Sequence, residues 1–172
     1  MSAQENARAA VILYGARLVG DYLYAWGGDG STEGGYDCSG YVCRVLTDAA
    51  RSWPTLYDGQ RRTAQGLADY YGGTGRGLAA VATVDALRPG MVVFYRRPGA
   101  SIHHVALHAV TLPPLGGKVE VGPVGFEAGG SGSAATSPRA ALLASATVRL
   151  TASDYHGQGA EWFALDPCSL IS

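Results

Sequence analysis

The sequence lacks an excess of positive charge: 13 Lys and Arg stand against 14 Asp and Glu, a formal net charge of −1. Nucleic-acid binding usually needs a basic face or stripe, so that class is set aside. Long apolar runs are missing too, the longest being far too short to span a bilayer, and Met1–Asn6 carries no basic stretch of the kind that opens a signal peptide. Neither a membrane anchor nor an ordinary signal peptide is expected. Cysteines are few and odd in number, at positions 38, 43 and 168. This is not a disulfide scaffold; at least one thiol is expected to be free, with Cys43 and Cys168 serving as small buried apolar residues. No internal repeat and no convincing linker divides the chain, so its 172 residues, 47% apolar and 16% charged, are expected to form one domain with one core.

What the chain does have is order, with helical patterns first and strand patterns after. Ser2-Ala3-Gln4-Glu5 reads as a capping box, and Ala7, Val11, Tyr14 and Leu18 recur at helical spacing before Gly20, predicting a helix over about 3–19. A glycine-dense loop runs to Gly35. Asp37 or Ser39 can then cap a second helix over about 38–49, and Thr63-Ala64-Gln65 opens a third that ends at Gly72-Gly73. Beyond the turn signal Leu87-Arg88-Pro89-Gly90, strands are expected at about 91–95 and 103–110, paired as a hairpin, and at about 118–121, 124–128, 146–150 and 161–165, with a flexible loop over 129–138. Helices followed by strands predict an α+β fold, the N-terminal helices packed on a central antiparallel sheet.

Chemistry concentrates in Tyr36-Asp37-Cys38-Ser39-Gly40, which sets a cysteine where a loop turns into a helix. Unpaired backbone N–H groups and the helix dipole stabilise a thiolate there, and the same groups can receive an oxyanion. The plain alternative for Cys38 is a buried structural thiol. A thiol nucleophile needs a base, and the histidines are His103, His104, His108 and His156. Alternation along the strand puts His104, Ala106, His108 and Val110 on one face, and Val105, Leu107 and Ala109 on the other with His103 at the rim. His104 and His108 would lie roughly 13 Å apart on an extended strand, too far to share one ion, so neither metal nor cofactor is expected.

Tyr24-Ala25-Trp26-Gly27-Gly28, Tyr36-Asp37-Cys38-Ser39-Gly40, Leu87-Arg88-Pro89-Gly90-Met91-Val92-Val93-Phe94 and His104-Val105-Ala106-Leu107 come in an order that resembles the NlpC/P60 family, over roughly residues 7–128. The resemblance implies a papain-like α+β fold, with Cys38 as nucleophile and His104 as general base. It also implies a peptidoglycan hydrolase that cuts stem peptides, mostly between γ-D-glutamate and the diamino acid. Asp37 and Ser39 match positions that line the site, where an acid can pair with a substrate amine. Tyr24 matches a tyrosine beside the cysteine that holds the oxyanion or substrate. The third catalytic position, usually His, Asn or Gln, is here Glu127, which can accept the Nδ1–H of His104; His108 is the weaker candidate. Met91 stands where the family often has an acid, a position that serves the turn.

Blander roles stand beside these. Asp37 can be an N-cap alone, Trp26 is expected to pack with the cleft wall as alternative, and Arg62 is expected to be solvated rather than to meet a substrate carboxylate. An N-acetylmuramoyl-L-alanine amidase, an acyltransferase or a non-catalytic wall-binding module would keep the same fold. The expected setting is a phage lysin, a phage tail component or an exported effector, made in the cytoplasm and released to the periplasm or wall. An immunity protein or a phage tail or holin context would accompany it, and the chain itself is expected to be a monomer.

Overall fold

The capping box is formed: Ser2 Oγ accepts the Glu5 N–H while the Glu5 carboxylate accepts the Ser2 N–H, opening helix α1, Ala3–Ala16. It stops a turn earlier than its apolar pattern and buries Ala7, Val11 and Gly15. Gly15 belongs to that face because the Tyr41 hydroxyl donates to its carbonyl at 3.0 Å, and a Cβ there would sit 2.9 Å from the same oxygen. The structure, a computed structural model, describes residues 1–30, 34–73, 75–111, 123–129, 135–152 and 160–172. The strand expected at 118–121, most of the glycine-rich loop and His156 lie outside them.

Two short strands, β1 (Leu23–Tyr24) and β2 (Gly35–Tyr36), lead into α2 (Cys38–Ala50), and α3 follows at Ala64–Tyr71. The strands β3 (Val92–Arg96), β4 (Ile102–Thr111), β5 (Pro123–Gly129), β6 (Thr147–Ala152) and β7 (Glu161–Leu165) complete a seven-stranded sheet, with a short helix α4 (Pro138–Leu143) before β6. Its order is β2-β1-β6-β5-β4-β3-β7. The expected hairpin is β3–β4, and every pair among β3 to β7 is antiparallel. The sheet as a whole is mixed, which corrects the antiparallel expectation: β1 and β2 run parallel, Tyr24 opposite Tyr36, because they are joined by a crossover connection rather than a tight hairpin turn.

The sheet is covered on both faces. Val92, Phe94, Val105, Leu107, Phe126 and Ala128 join the helices in the larger core, where Val42, Val45 and Leu46 of α2 are fully buried. Each such side chain contributes about 1.5–3 kcal/mol of burial. On the other face Val93, Tyr95, Ala106 and Trp162 meet Leu87 and Met91 from the segment before β3. Val81 in that segment also exchanges backbone hydrogen bonds of 2.9 and 2.7 Å with Ala164, closing the outer edge of β7.

Candidate active site

Cys38 is the first residue of α2. Asp37 is its N-cap, extended at φ −83° and ψ 175°, with a carboxylate oxygen accepting the Gly40 N–H at 2.6 Å. Gly40 is required by space, because a Cβ there would collide with the Gly28 carbonyl oxygen. The helix start is thereby pressed against the loop that precedes it. Cys38 is 9% exposed, so its thiol sits under the surface with one accessible side.

His104 reaches this point from the start of β4, where it pairs with Tyr95 and its ring lies 5.5 Å from the Tyr95 ring. A register shift makes His103 the extra residue and leaves it exposed at the rim. The His104 ring meets the Glu127 Oε2 through Nε2 at 2.8 Å, with Cys38 among the groups that act on the ring. The atom differs from expectation. Nε2 rather than Nδ1 meets Glu127, which stands on the neighbouring strand β5. Burial opposes a charged ring, but the hydrogen bonds and charges of Cys38 and Glu127 outweigh it and raise His104 to about 9.

Glu127 is only 12% exposed, and burial alone would raise it. The contact with His104, and then Arg149, bring it down to about 2. Arg149 lies directly across from Glu127 on β6 and donates through Nε and Nη2, at 3.0 and 2.8 Å, both to Oε1. One carboxylate oxygen is thus tied to arginine and the other is aimed at histidine. His108 is fully buried four residues along β4 and lowered to about 4 by that burial. Glu127 takes the place beside the His104 ring.

Tyr24 is buried with its phenol pushed far up, first by burial and then by the charges of Cys38 and Asp37. It therefore stays a hydrogen-bond donor beside the thiol. Trp26, expected to pack, is 59% exposed and lines two cavities, of about 210 and 410 Å³. The sheet pairing leaves it on the loop that turns back toward β2, outside both cores.

Arg62 is neither solvated nor free to receive a carboxylate. Its guanidinium forks onto Asp58 at 2.6 and 2.7 Å and lies over the Tyr70 ring at 4.0 Å. Its neighbour Arg61, passed over in the sequence, is the one that enters the site. Arg61 Nη2 donates to both Asp37 oxygens, at 2.8 and 2.7 Å, and Nη1 donates to the Ser39 hydroxyl at 3.0 Å. Ser39 in turn donates to Asp37 at 2.9 Å. Among the described residues no three His, Cys, Asp or Glu side chains converge to hold a metal ion, and no helix is long and apolar enough to cross a membrane.

A model of the NlpC/P60 family matches residues 21–125, more than half of the chain. The chain belongs to the NlpC/P60 family. Its members are typically cysteine peptidases, and the family acts on peptidoglycan peptides. The match takes in Tyr24, Asp37, Cys38, Ser39 and His104 and ends at residue 125, short of Glu127 and Arg149. No curated protein and no solved structure matches the chain.

Proposed function

We propose that this NlpC/P60 protein is a peptidoglycan endopeptidase that cuts stem peptides between γ-D-glutamate and the diamino acid through a Cys38 thioester. The observation that carries this reading is the His104 ring held at 2.8 Å by Glu127, together with a cysteine, Cys38, at the first position of α2 whose thiol acts on that ring. A histidine oriented by a carboxylate can take the proton of a neighbouring thiol, and the thiolate is the attacking species.

Sγ of Cys38 adds to the scissile carbonyl carbon, and the displaced electron pair moves onto the carbonyl oxygen. Backbone N–H groups at the first turn of α2 and the Tyr24 hydroxyl are suited to receive that charge. The C–N bond then breaks, Nδ1 of His104 gives its proton to the leaving amine, and a thioester remains on Cys38. Water next attacks the thioester carbonyl, giving its proton to the neutral Nδ1. The thiolate leaves and the imidazolium is restored. Glu127 accepts from Nε2 throughout, fixing the tautomer and stabilising the charged ring, as the carboxylate does in a Ser-His-Asp triad. The place of action is then the periplasm or the cell wall.

Incubating peptidoglycan with the protein and analysing the released muropeptides by mass spectrometry, beside Cys38→Ala, tests this. The wild type is expected to shorten stem peptides at the diamino-acid bond, and Cys38→Ala is not. Release of whole peptides from the sugar would instead identify an amidase, and no new ends on accessible substrate would overturn the reading.

A further inference from the structure

On the sheet side of the site an arginine and a glycine are built around the carboxylate that meets His104. Glu127 and Arg149 stand directly opposite each other on β5 and β6, and Arg149 Nε and Nη2 both donate to Glu127 Oε1, at 3.0 and 2.8 Å. Oε2 is left to His104 Nε2 at 2.8 Å. Gly129, two residues along β5 and on the same face, keeps the space for this pairing: a Cβ there would lie 2.7 Å from Glu127 Oε1 and 3.0 Å from Arg149 Nη2. Two cations can therefore share one carboxylate. Burial raises Glu127, and the charges that oppose it come from His104 on β4 and Arg149 on β6. The histidine is acted on in turn by Cys38 from the start of α2 and Glu127 from β5, with the Tyr95 ring of β3 at 5.5 Å.

A bare carboxylate against a half-buried ring would hold the imidazolium proton strongly, because charge pairing strengthens as water is excluded. That favours the step in which the ring takes a proton and opposes the step in which it gives one to the leaving amine. With two donors on Oε1 the Glu127–Arg149 unit carries no net charge, yet Oε2 still presents an acceptor to the ring. We propose that Arg149 is a positioning residue that acts through Glu127 as its counter-charge, so that the carboxylate orients His104 without locking it in its protonated form. This rests on the endopeptidase reading above, in which the ring has to pass its proton on.

Arg149→Met, Arg149→Lys, Glu127→Gln and the double variant Glu127→Gln/Arg149→Met test it by two readouts. The Arg149 side chain is 43% exposed, so these changes leave the core closed. In NMR titration of the His104 ring, Arg149→Met is expected to move release of the proton to higher pH than in the wild type, by about one pH unit. Arg149→Lys keeps the charge and is expected to titrate near the wild type. An arginine that only props Glu127 in place would have the opposite sign, since a loosened carboxylate supports the charged ring less. In kcat on a soluble stem peptide, Arg149→Met is expected to cost roughly tenfold in the wild-type background and nothing in the Glu127→Gln background, where a neutral amide leaves no charge to offset. A His104 titration that Arg149→Met leaves in place or moves to lower pH, or the same fold loss in both backgrounds, overturns the proposal. A wild type that cuts no stem peptide sinks the endopeptidase reading instead, and the titration still decides the role of Arg149.

Discussion

Two carboxylates flank the Cys38–His104 pair, one on the helix side and one on the sheet side, and each is held by an arginine to the opposite end. On the helix side Arg61 spans both oxygens of Asp37, and Ser39 and the helix N–H complete the set. On the sheet side Arg149 puts two donors on one oxygen of Glu127 and leaves the second for His104. The same pair of residue types gives a quenched carboxylate in one place and an aimed one in the other. What differs is which lone pairs the guanidinium takes, and that is set by approach: Arg149 comes from the strand directly opposite, whereas Arg61 comes from a loop over the cleft.

The largest break in this comparison is Glu127→Ala. Without the acceptor the ring loses both its orientation and the charge that stabilises the imidazolium. A fall in kcat on the order of 10²–10⁴-fold is expected, with little change in KM. Steady-state kinetics on a soluble stem-peptide substrate reads it, and a variant within about twofold of wild type would remove Glu127 from the mechanism. Arg149→Met is the next step down, because Glu127 remains but is no longer fixed. A loss of roughly tenfold in kcat is expected, with partial recovery in Arg149→Lys; equal rates in all three proteins would make Arg149 a surface residue only.

Arg62→Ala sharpens the contrast from outside the site. It removes the fork on Asp58 and the contact with the Tyr70 ring, so denaturant unfolding should show a loss of about 1 kcal/mol. Cleavage of peptidoglycan should stay close to wild type, because Arg62 is tied to Asp58 rather than to Asp37. The smallest effect is in stability against pH. His104 is raised from its ordinary 6.5 to about 9, so its contribution is fully present below 6.5 and lost as pH rises through 9. Glu127 is lowered from 4.5 to about 2, so its contribution is present above 4.5 and lost as pH falls through 2. Melting temperatures are therefore expected to decline from about pH 6.5 to 9, and the decline attributable to His104 should become smaller in Glu127→Ala.

The helix side was far more legible in the sequence than the sheet side. Capping at Ser2, Asp37 and Thr63 is local, each side chain reaching a backbone group three residues on, and the three long helices open where those residues stand. Cys38 at a helix start and His104 at a strand start could be read for the same reason. The arginines could not. Arg61 is 24 residues from Asp37 and Arg149 is 22 from Glu127, and nothing in the adjacent pair Arg61-Arg62 marks which one turns inward. The two strands that carry Glu127 and Arg149 were visible, but their register depends on the segment between them, α4 included, whose path is not written in any periodicity. The parallel pairing of β1 with β2 was hidden likewise, since two-residue strands carry no alternation to read. Trp26 shows the reverse error, an aromatic taken for core because of its type, whereas its place on the loop between the two short strands leaves it at the cavity walls.

The central claim is that Cys38, His104 and Glu127 form one electrostatically coupled chain. NMR titration of the His104 ring in the wild type and in Glu127→Gln tests it most directly. The account predicts a ring that holds its proton to about pH 9 in the wild type and releases it at clearly lower pH once the carboxylate is gone. A wild-type ring that titrates at or below its ordinary 6.5, or a titration that Glu127→Gln leaves in place, would contradict it.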